Sequence, residues 1–304
     1  MPRLFAGFIA ASAALLLVAC SGGSEDSPRG SAASPTATEL PAGSQVTAAP
    51  TVTPTPRPTG PRPLYLALGD SLSAGIGASD EVSLGWVGLV SAELPGWELL
   101  NLGVPGDDSA ELLLGGPLDE GLRQIELRAA DAEAGNEVSA ITLEIGGNDL
   151  LDIYFDIVIP GDCPSLVETL QRDFCVSALG SALDAYRTNL ARTLDQLTEA
   201  APETPIFLMT IYNPYSGDAS ALDEMGVLAL EGQAGTPFPE GINDAIRAAG
   251  AEAGVTVVEW YDLFLGKQSE YIAFDLIHPN DAGHAVMAEA VIEAMALAGL
   301  PVVD

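Results

Sequence analysis

The segment LYLALGDSLSAG, residues 64–75, begins as an unbroken apolar run and becomes polar at Gly69-Asp70-Ser71. An apolar run of this length, bounded by turn residues, is typical of a strand that is buried on both faces of a parallel sheet. Open parallel sheets bind ligands outside the carboxyl ends of their strands. The segment therefore predicts the first strand of an α/β domain, with Ser71 at the edge where such a domain carries its functional site.

Similar apolar runs recur downstream and alternate with longer amphipathic stretches. This alternation is typical of βαβ units and predicts a doubly wound α/β domain over residues 63–304. Strands are predicted at Leu64–Leu68, Glu98–Leu102, Ala140–Ile145, Ile206–Ile211 and Thr256–Trp260. Helices are predicted at Ser83–Leu94, Leu118–Ala134, Val176–Thr198, Gly241–Ala253 and Asn280–Ala298.

The N-terminal segment has the features of an export signal. Arg3 provides a positive charge, and Leu4–Val18 is apolar or small over the length of a signal peptide rather than of a membrane span. Leu17-Val18-Ala19-Cys20 resembles the bacterial lipobox, which implies removal of residues 1–19 and a lipid on Cys20. An ordinary secretory signal with an incidental cysteine is the alternative. We expect an extracytoplasmic lipoprotein, anchored to the membrane through Cys20.

Residues 20–62 differ in composition from the domain that follows. They consist largely of Ser, Pro, Thr, Ala and Gly, and so contain too few large apolar side chains to offset the entropy cost of ordering. We expect a disordered tether, semi-extended around the proline-rich run 50–58, that holds the domain away from the membrane.

The charge balance of the chain excludes one class of partner. Lys and Arg total 11 against 43 Asp and Glu, which gives a formal net charge of -32. Binding to a phosphate backbone would be electrostatically opposed, so nucleic acid is not expected as a partner. The acidity is typical of a soluble, surface-exposed protein.

Two cysteines remain if Cys20 carries lipid. Cys163 and Cys175 are expected to pair, because disulfides persist outside the cytoplasm, and a loop this short is worth roughly 2–3 kcal/mol in the chain-entropy model. Two free thiols are the alternative. The absence of a nearby histidine in the sequence argues against a zinc site.

The chain contains two histidines, and a serine nucleophile needs one of them as its base. His278 precedes Pro279, which biases it towards a loop, and Asp275 is three residues earlier, close enough to orient the imidazole. His284 falls on the inner face of a predicted helix, so a structural role is expected for it. The residues around Ser71 do not fit the Gly-x-Ser-x-Gly elbow of α/β-hydrolases.

A tetrahedral oxyanion needs preorganised hydrogen-bond donors. Two turns after predicted strands offer them: Gly103-Val104-Pro105-Gly106, and Gly146-Gly147-Asn148-Asp149 with its amide side chain. Either turn taken alone is also compatible with a plain strand-to-helix connection.

Taken together, these motifs resemble the ordered blocks of the GDSL, or SGNH, hydrolase family. The matching residues are Gly69-Asp70-Ser71-Leu72, Gly106, Gly147-Asn148-Asp149 and Asp275-Leu276-Ile277-His278-Pro279. The resemblance implies a three-layer α/β/α fold of flavodoxin-like form around a five-stranded parallel sheet, and chemistry that needs no cofactor or metal. It also implies roles, namely Ser71 as nucleophile, His278 as base, Asp275 as its orienting partner, and Ser71, Gly106 and Asn148 as oxyanion donors. Pro105 departs from the family pattern, so Gly103 is kept as the alternative to Gly106.

The resemblance implies an ester hydrolase but leaves the substrate open among small-molecule, lipid and acylated-glycan esters. Tyr212–Glu240 is long for a connection in a compact domain and either shapes the pocket or packs on itself. A tethered module that binds a glycan or lipid without turnover is the rival interpretation. A metal phosphoesterase is disfavoured, since the sequence shows no recognisable ligand cluster.

Overall fold

The computed structural model describes residues 62–130, 135–218 and 220–303. The predicted signal peptide, the predicted lipidation site at Cys20, and the tether up to residue 61 lie outside the described residues. The same is true of residues 131–134, at the end of one predicted helix. Within the described part of the chain, no helix combines the length and the apolar character needed to cross a membrane.

The described domain is built on five parallel strands in the order β2-β1-β3-β4-β5. This order is the flavodoxin-like one, and it confirms the predicted five-stranded parallel sheet. The strands are β1 (Leu64–Gly69), β2 (Glu98–Gly103), β3 (Val138–Glu144), β4 (Ile206–Met209) and β5 (Thr256–Val258).

Helices connect the strands and cover both faces of the sheet. Those near the predicted positions are α2 (Trp86–Ala92), α4 (Pro117–Ala129), α7 (Asp173–Ala200), α9 (Ile242–Ala253) and α11 (Asp281–Leu297). Those not predicted are α1 (Ser71–Ala74), α3 (Ser109–Leu114), α5 (Gly147–Ile153), α6 (Leu166–Gln171), α8 (Ala221–Glu231) and α10 (Gln268–Tyr271), with a π-helix at Tyr154–Val158 and a 3-10 turn at Asp262–Phe264.

The alternation of side chains along β1 explains the three layers. Leu64, Leu66 and Leu68 pack in one core cluster with residues of α3, α4, α7 and α9. Tyr65 and Ala67 face the opposite side, in a second cluster with residues of α2 and α11. Because successive side chains point to opposite faces of a strand, an apolar residue at every position requires helices on both sides. The predicted α/β/α architecture is therefore confirmed.

Strands β4 and β5 end earlier than the apolar pattern predicts, and Thr210 supplies the reason. Its backbone amide still donates to the carbonyl of Val258, at 3.0 Å. Its hydroxyl oxygen then accepts the amides of Trp260 and Tyr261, at 2.8 and 3.3 Å. The Thr210 side chain thus takes the place of the next backbone hydrogen bonds between the two strands, and both strands turn away from the sheet.

The strand order positions the functional residues. The chain leaves β1 towards β2 on one side, while β3 lies on the other side of β1, so a crevice opens at the carboxyl ends of β1 and β3. Ser71 follows β1 and Asn148 follows β3. The residues singled out in these two motifs therefore meet at this crevice.

Candidate active site

Ser71, His278 and Asp275 form a continuous hydrogen-bonded relay. The Nε2 atom of His278 lies 2.9 Å from the Ser71 hydroxyl, and its Nδ1 atom lies 2.6 Å from Oδ2 of Asp275. With Nδ1–H donating to the carboxylate, Nε2 is left as the acceptor for the hydroxyl hydrogen. This arrangement can remove the proton from Ser71 while the carboxylate stabilises the resulting imidazolium.

Ser71 is presented by a sharp turn between β1 and α1. It is the first residue of the short helix, and the preceding Asp70 is the N-cap. The Asp70 carboxylate accepts the amide of Leu72 at 2.9 Å, so capping is done by Asp70, not by the serine. Ser71 is thereby left with its hydroxyl directed to His278. Its backbone amide donates to no other residue in the described part of the chain.

The loop that carries His278 is folded around the Asp275 carboxylate. Besides the imidazole, Asp275 accepts the amides of Ile277 and His278, at 3.1 and 3.0 Å. Leu276, between them, takes a positive φ of 64°, which is strained for a leucine. Partial burial raises the pKa of Asp275, but its hydrogen bonds from His278 and the two amides outweigh that effect and hold the pKa below its usual value. The loop therefore favours the carboxylate form.

Neighbouring elements hold this loop in place. The Tyr212 hydroxyl, after β4, donates to the carbonyl of Ile277 at 2.8 Å. On the other side, Ser79 donates to the Asp281 carboxylate through its amide and its hydroxyl, at 2.6 and 2.7 Å. His278 is thus fixed from both flanks, which suits a base that must stay aligned with one hydroxyl.

Gly106 lies in a tight turn after β2. The amide of Asp107 donates to the carbonyl of Val104 at 3.1 Å, and Gly106 has a φ of 92°. Proline at the second position and a positive-φ glycine at the third are what a type II turn requires. Pro105 is therefore accommodated. The Gly106 amide has no acceptor among the described residues, whereas that of Gly103 already donates to Asn101 at 3.0 Å.

Asn148 is the second residue of α5 and links three parts of the site. Its Nδ2 atom donates to the carbonyl of Asp107 at 2.8 Å and approaches Oδ2 of Asp70 at 3.3 Å. Gly146, before the helix, has a φ of 125°, and a Cβ there would collide with the Tyr186 ring. Glycine is thus required for the turn that brings Asn148 beside the Gly106 turn and Ser71.

Two carboxyl groups are buried beneath Ser71. Asp70 is 2% exposed and Glu144, the last residue of β3, is 1% exposed. Burial raises the pKa of Asp70 to about 6, while the Leu72 amide and Glu144 lower it in part. Burial and the neighbouring Asp70 raise the pKa of Glu144 well above its usual value. The pair therefore favours keeping a proton, which avoids two negative charges side by side.

A second network fixes the start of α5. Asp149 accepts the amide and the hydroxyl of Ser109, at 2.9 and 2.6 Å, and the Asn189 side chain donates to the same hydroxyl at 3.0 Å. These contacts join α3, α5 and α7. Burial raises the pKa of Asp149 to about 6, although its hydrogen bonds from Ser109 oppose the shift.

His284, the other histidine, lies in α11 and is fully buried. Its Nδ1 atom accepts the amide of Trp86 at 3.3 Å, and its Nε2 atom lies 3.0 Å from the carbonyl of Ile76. Burial lowers the pKa of His284, which favours the neutral ring. Its two nitrogens are occupied by backbone groups, so the packing role predicted for it fits its surroundings.

A deep apolar cavity of about 150 Å³ opens beside Ser71 and His278. We call it the chamber. Its walls come from α5 and the π-helix, from α6, α7 and α8, and from the segment 211–215 that follows β4. The side chains of Tyr212 and Tyr215 line it, as do those of several α8 residues, so Tyr212–Glu240 contributes to a pocket and does not only pack on itself.

The predicted disulfide between Cys163 and Cys175 is present, with 6.0 Å between the Cα atoms. Both cysteines are fully buried, and both line the chamber. The bridge ties the segment that follows the π-helix to the first turn of α7.

Sequence reasoning missed several residues of this region. Glu144 had a signal, because a charged residue at the end of an apolar strand is unusual. Asp70 also had a signal in the sequence, since Asp is a preferred N-cap residue. The segments that hold the π-helix, α6 and α8 were candidates for shaping a pocket, but the sequence did not distinguish that role from packing on the surface. The structure shows no group of three or more His, Cys, Asp or Glu arranged to hold a metal ion within the ranges it describes.

Comparisons with known proteins agree with this architecture. Residues 67–286 match the GDSL-like Lipase/Acylhydrolase family. The chain is 23% identical over 236 residues to the spore germination lipase LipC of Bacillus licheniformis, covering 74% of this chain and 92% of that protein. The fold is similar to that of the lipase Lip_vut3 from a goat rumen metagenome, with a TM-score of 0.55, 21% identity, and coverage of 76% of this chain and 97% of that one. It is also similar to that of phospholipase A1 from Streptomyces albidoflavus NA297, with a TM-score of 0.54, 16% identity, and coverage of 76% and 99%.

At such identities the structural likeness establishes the fold alone. Because the family match spans most of the chain, this protein belongs to the GDSL-like lipase/acylhydrolase family.

Proposed function

We propose that the protein is a serine esterase that hydrolyses carboxylic esters through an acyl-enzyme on Ser71. The observation that carries the proposal is the relay of Asp275, His278 and Ser71, with donor-acceptor distances of 2.6 and 2.9 Å. A nucleophile, a base and an orienting carboxylate in this order are the parts that acyl transfer needs.

The first half-reaction transfers the acyl group. Ser71 Oγ attacks the ester carbonyl as its proton passes to His278 Nε2, and the carbonyl oxygen becomes an oxyanion. The Ser71 and Gly106 amides are two of the donors we assign to it, because they have no acceptor within the described residues. We assign the Asn148 side chain as the third, which requires its Nδ2 atom to give up the 3.3 Å contact with Asp70. The carbon–oxygen bond to the alcohol then breaks, and His278 returns its proton to the departing alcohol.

The second half-reaction uses water in place of the alcohol. His278 takes a proton from water, whose oxygen attacks the acyl carbon, and the bond to Ser71 Oγ breaks as the hydroxyl regains its proton. The products are a carboxylic acid and free enzyme. This chemistry requires no redox step or cofactor.

The proposal includes a location outside the cytoplasm, on a lipid anchor at Cys20. It is supported by the lipobox-like residues 17–20 and by the buried disulfide, since such bridges persist in oxidising compartments. Detergent partitioning of the full chain expressed in bacteria tests the anchor. We expect the protein in the detergent phase, and Cys20→Ser in the aqueous phase; equal partitioning of the two would contradict the anchor.

Turnover of p-nitrophenyl esters by residues 62–304 tests the enzymatic proposal, with Ser71→Ala as the matched variant. We expect hydrolysis that falls by at least about 10³-fold in Ser71→Ala. Unchanged hydrolysis in the variant would refute the nucleophile. A failure of the wild-type protein to hydrolyse any ester, combined with tight binding of a glycan or lipid, would instead favour the non-catalytic binding module.

A further inference from the structure

The chamber is asymmetric in its chemistry. Ser71, Asn148 and His278 lie at one end, and nearly all the remaining lining is aliphatic or aromatic. Two polar residues of the wall are already paired: Asn213 donates to Asp223 at 2.8 Å and accepts the amide of Tyr215, and the Thr169 hydroxyl lies 3.5 Å from the Met225 sulfur. They offer no spare donor to a sugar hydroxyl, and the hydroxyls of Tyr154 and Tyr215, which also line the chamber, share a hydrogen bond. The lining thus matches an unsubstituted hydrocarbon chain.

Two helices show where the chamber ends. Ile157 comes nine residues after Asn148 in the continuous α5 and π-helix, which corresponds to about 13 Å along the axis. The amide of Cys163 donates to the carbonyl of Ile157 at 3.0 Å, so this cysteine lies at the far end.

Helix α7 gives a second, independent measure. The Tyr186 hydroxyl donates to the carbonyl of Ile145 at 3.0 Å, which fixes this residue at the carboxyl end of β3. Cys175 lies eleven residues earlier in the same helix, or about 16 Å away along it. Both helices therefore place the Cys163–Cys175 bridge at the end of the chamber away from Ser71.

The size of the chamber limits its ligand. A cavity of about 150 Å³ in another protein holds benzene, so this volume corresponds to about six carbon atoms. An extended chain advances about 1.2 Å per bond, so a depth of 13–16 Å accommodates no more than roughly twelve.

We propose that the chamber is an acyl site for unbranched chains of about six to twelve carbons, whose upper limit is set by the Cys163–Cys175 bridge. This inference rests on the proposed esterase function. The chain would lie along α5 and α7 with its methyl end towards the bridge, while the alcohol leaves from the open end. The bridge thus limits the length of the acyl chain, in addition to joining two segments of the chain covalently.

The test compares p-nitrophenyl esters from acetate to palmitate on three variants of residues 62–304. Ala229→Phe adds bulk inside the chamber, because Ala229 of α8 lines it. Ala221→Phe is the matched control, since Ala221 lies on the same helix, is exposed, and is not part of the lining. Cys163→Ala/Cys175→Ala removes the wall, and thermal melting of each variant verifies its folding.

We expect the wild-type protein to prefer octanoate or decanoate. Ala229→Phe should lower kcat/KM on decanoate by about tenfold or more while changing that on acetate by less than about threefold, because each lost methylene contact is worth about 10-fold or more. Ala221→Phe should leave the profile unchanged. The double cysteine variant should shift the optimum towards longer chains.

Each failure has a separate meaning. A wild-type optimum at acetate, or an equal fall on every ester in Ala229→Phe, would overturn the acyl chamber while leaving serine-dependent hydrolysis intact. Loss of all ester turnover in the wild-type protein would instead remove the proposed function itself. An unchanged optimum in a folded double cysteine variant would overturn the bridge as the upper limit. If that variant does not fold, the Ala229→Phe and Ala221→Phe pair still decides whether the chamber binds the acyl chain.

Discussion

The region around Ser71 and the wall of the chamber are built in different ways. In the first region, each functional side chain lies within a few residues of a strand end or a helix start, as Ser71, Asn148 and His278 do. The wall is formed by helices that are far apart in the chain. The first region is built by local turns whose residue types are diagnostic: the Asp70 cap, the Gly106 turn and the Asp275 loop. The wall depends on how α5, α7 and α8 pack together. On the proposed function, reactivity and selectivity rest on different parts of the structure and should respond to different substitutions.

The largest expected effect is a loss of kcat at the carboxyl edge of the sheet, and it distinguishes the roles of the two histidines. His278→Ala should lower kcat by about 10⁴-fold, because the acyl transfer loses its base. His284→Ala should instead reduce stability by roughly 2–3 kcal/mol, since it leaves a buried amide and carbonyl unpaired, with kcat within a few-fold. Steady-state kinetics and denaturant unfolding of both variants measure this. The reverse pattern would show that the base has been assigned to the wrong histidine.

The next effect tests whether the residues around Ser71 act independently of the chamber wall. Asn148→Ala should lower kcat by about 10²–10³-fold, which is the usual loss for one oxyanion donor. The factor should be equal on acetate and decanoate, in contrast to the selective loss expected in Ala229→Phe. A decrease confined to long-chain esters would mean that Asn148 belongs functionally to the chamber.

A smaller effect concerns the network that joins the two regions. The pKa of Asp149 is raised to about 6, so the folded state binds its proton more tightly than the unfolded state does. The contribution of this carboxyl to folding is most favourable below about pH 4 and is lost as the pH rises through about 6. The stability advantage of wild type over Asp149→Asn should therefore shrink by roughly 2 kcal/mol between pH 4 and pH 7. Urea unfolding at the two pH values measures the difference; an advantage that grows with pH would contradict the sign.

The smallest expected effect is that of replacing Glu144, the carboxyl group buried beneath Ser71. Because the raised pKa of Glu144 favours its neutral form, Glu144→Gln should change the free energy of unfolding by less than about 1 kcal/mol and kcat by only a few-fold at pH 7. Glu144→Ala is the control and should be clearly more destabilising, because it loses the contact with Ser73 and leaves a cavity. A large kcat loss in Glu144→Gln would show that the site needs the ionised carboxylate.

The same contrast explains what could be predicted from the sequence. Strands β1, β3 and β4 were identifiable because they are buried on both faces, which leaves a continuous apolar run. The edge strands β2 and β5 are partly exposed and were identified from shorter apolar runs. Ser71 and Asn148 were identifiable because ligand sites of open parallel sheets lie where the strands end. His278 was identifiable because it precedes a proline and follows Asp275 by three residues. Thr210 shortens β4 and β5 through a side-chain contact, and no local pattern predicts such a contact.

The chamber wall was less accessible to prediction. The two cysteines indicated a loop closure but not that the bridge would end a cavity, since that depends on the direction of α7 relative to α5. Helix α8 carries an ordinary mixture of apolar and acidic residues, which is equally compatible with packing on the surface. Which of its residues face the chamber is fixed only by tertiary packing.

Covalent labelling is the sharpest test of Ser71 as the nucleophile, because a fluorophosphonate captures an activated serine whatever ester the enzyme naturally hydrolyses. Residues 62–304 would be treated with the probe, digested, and mapped by mass spectrometry, alongside His278→Ala. We expect one adduct, on Ser71, and little labelling in the variant. An adduct on another serine, or labelling of Ser71 that does not depend on His278, would contradict this assignment.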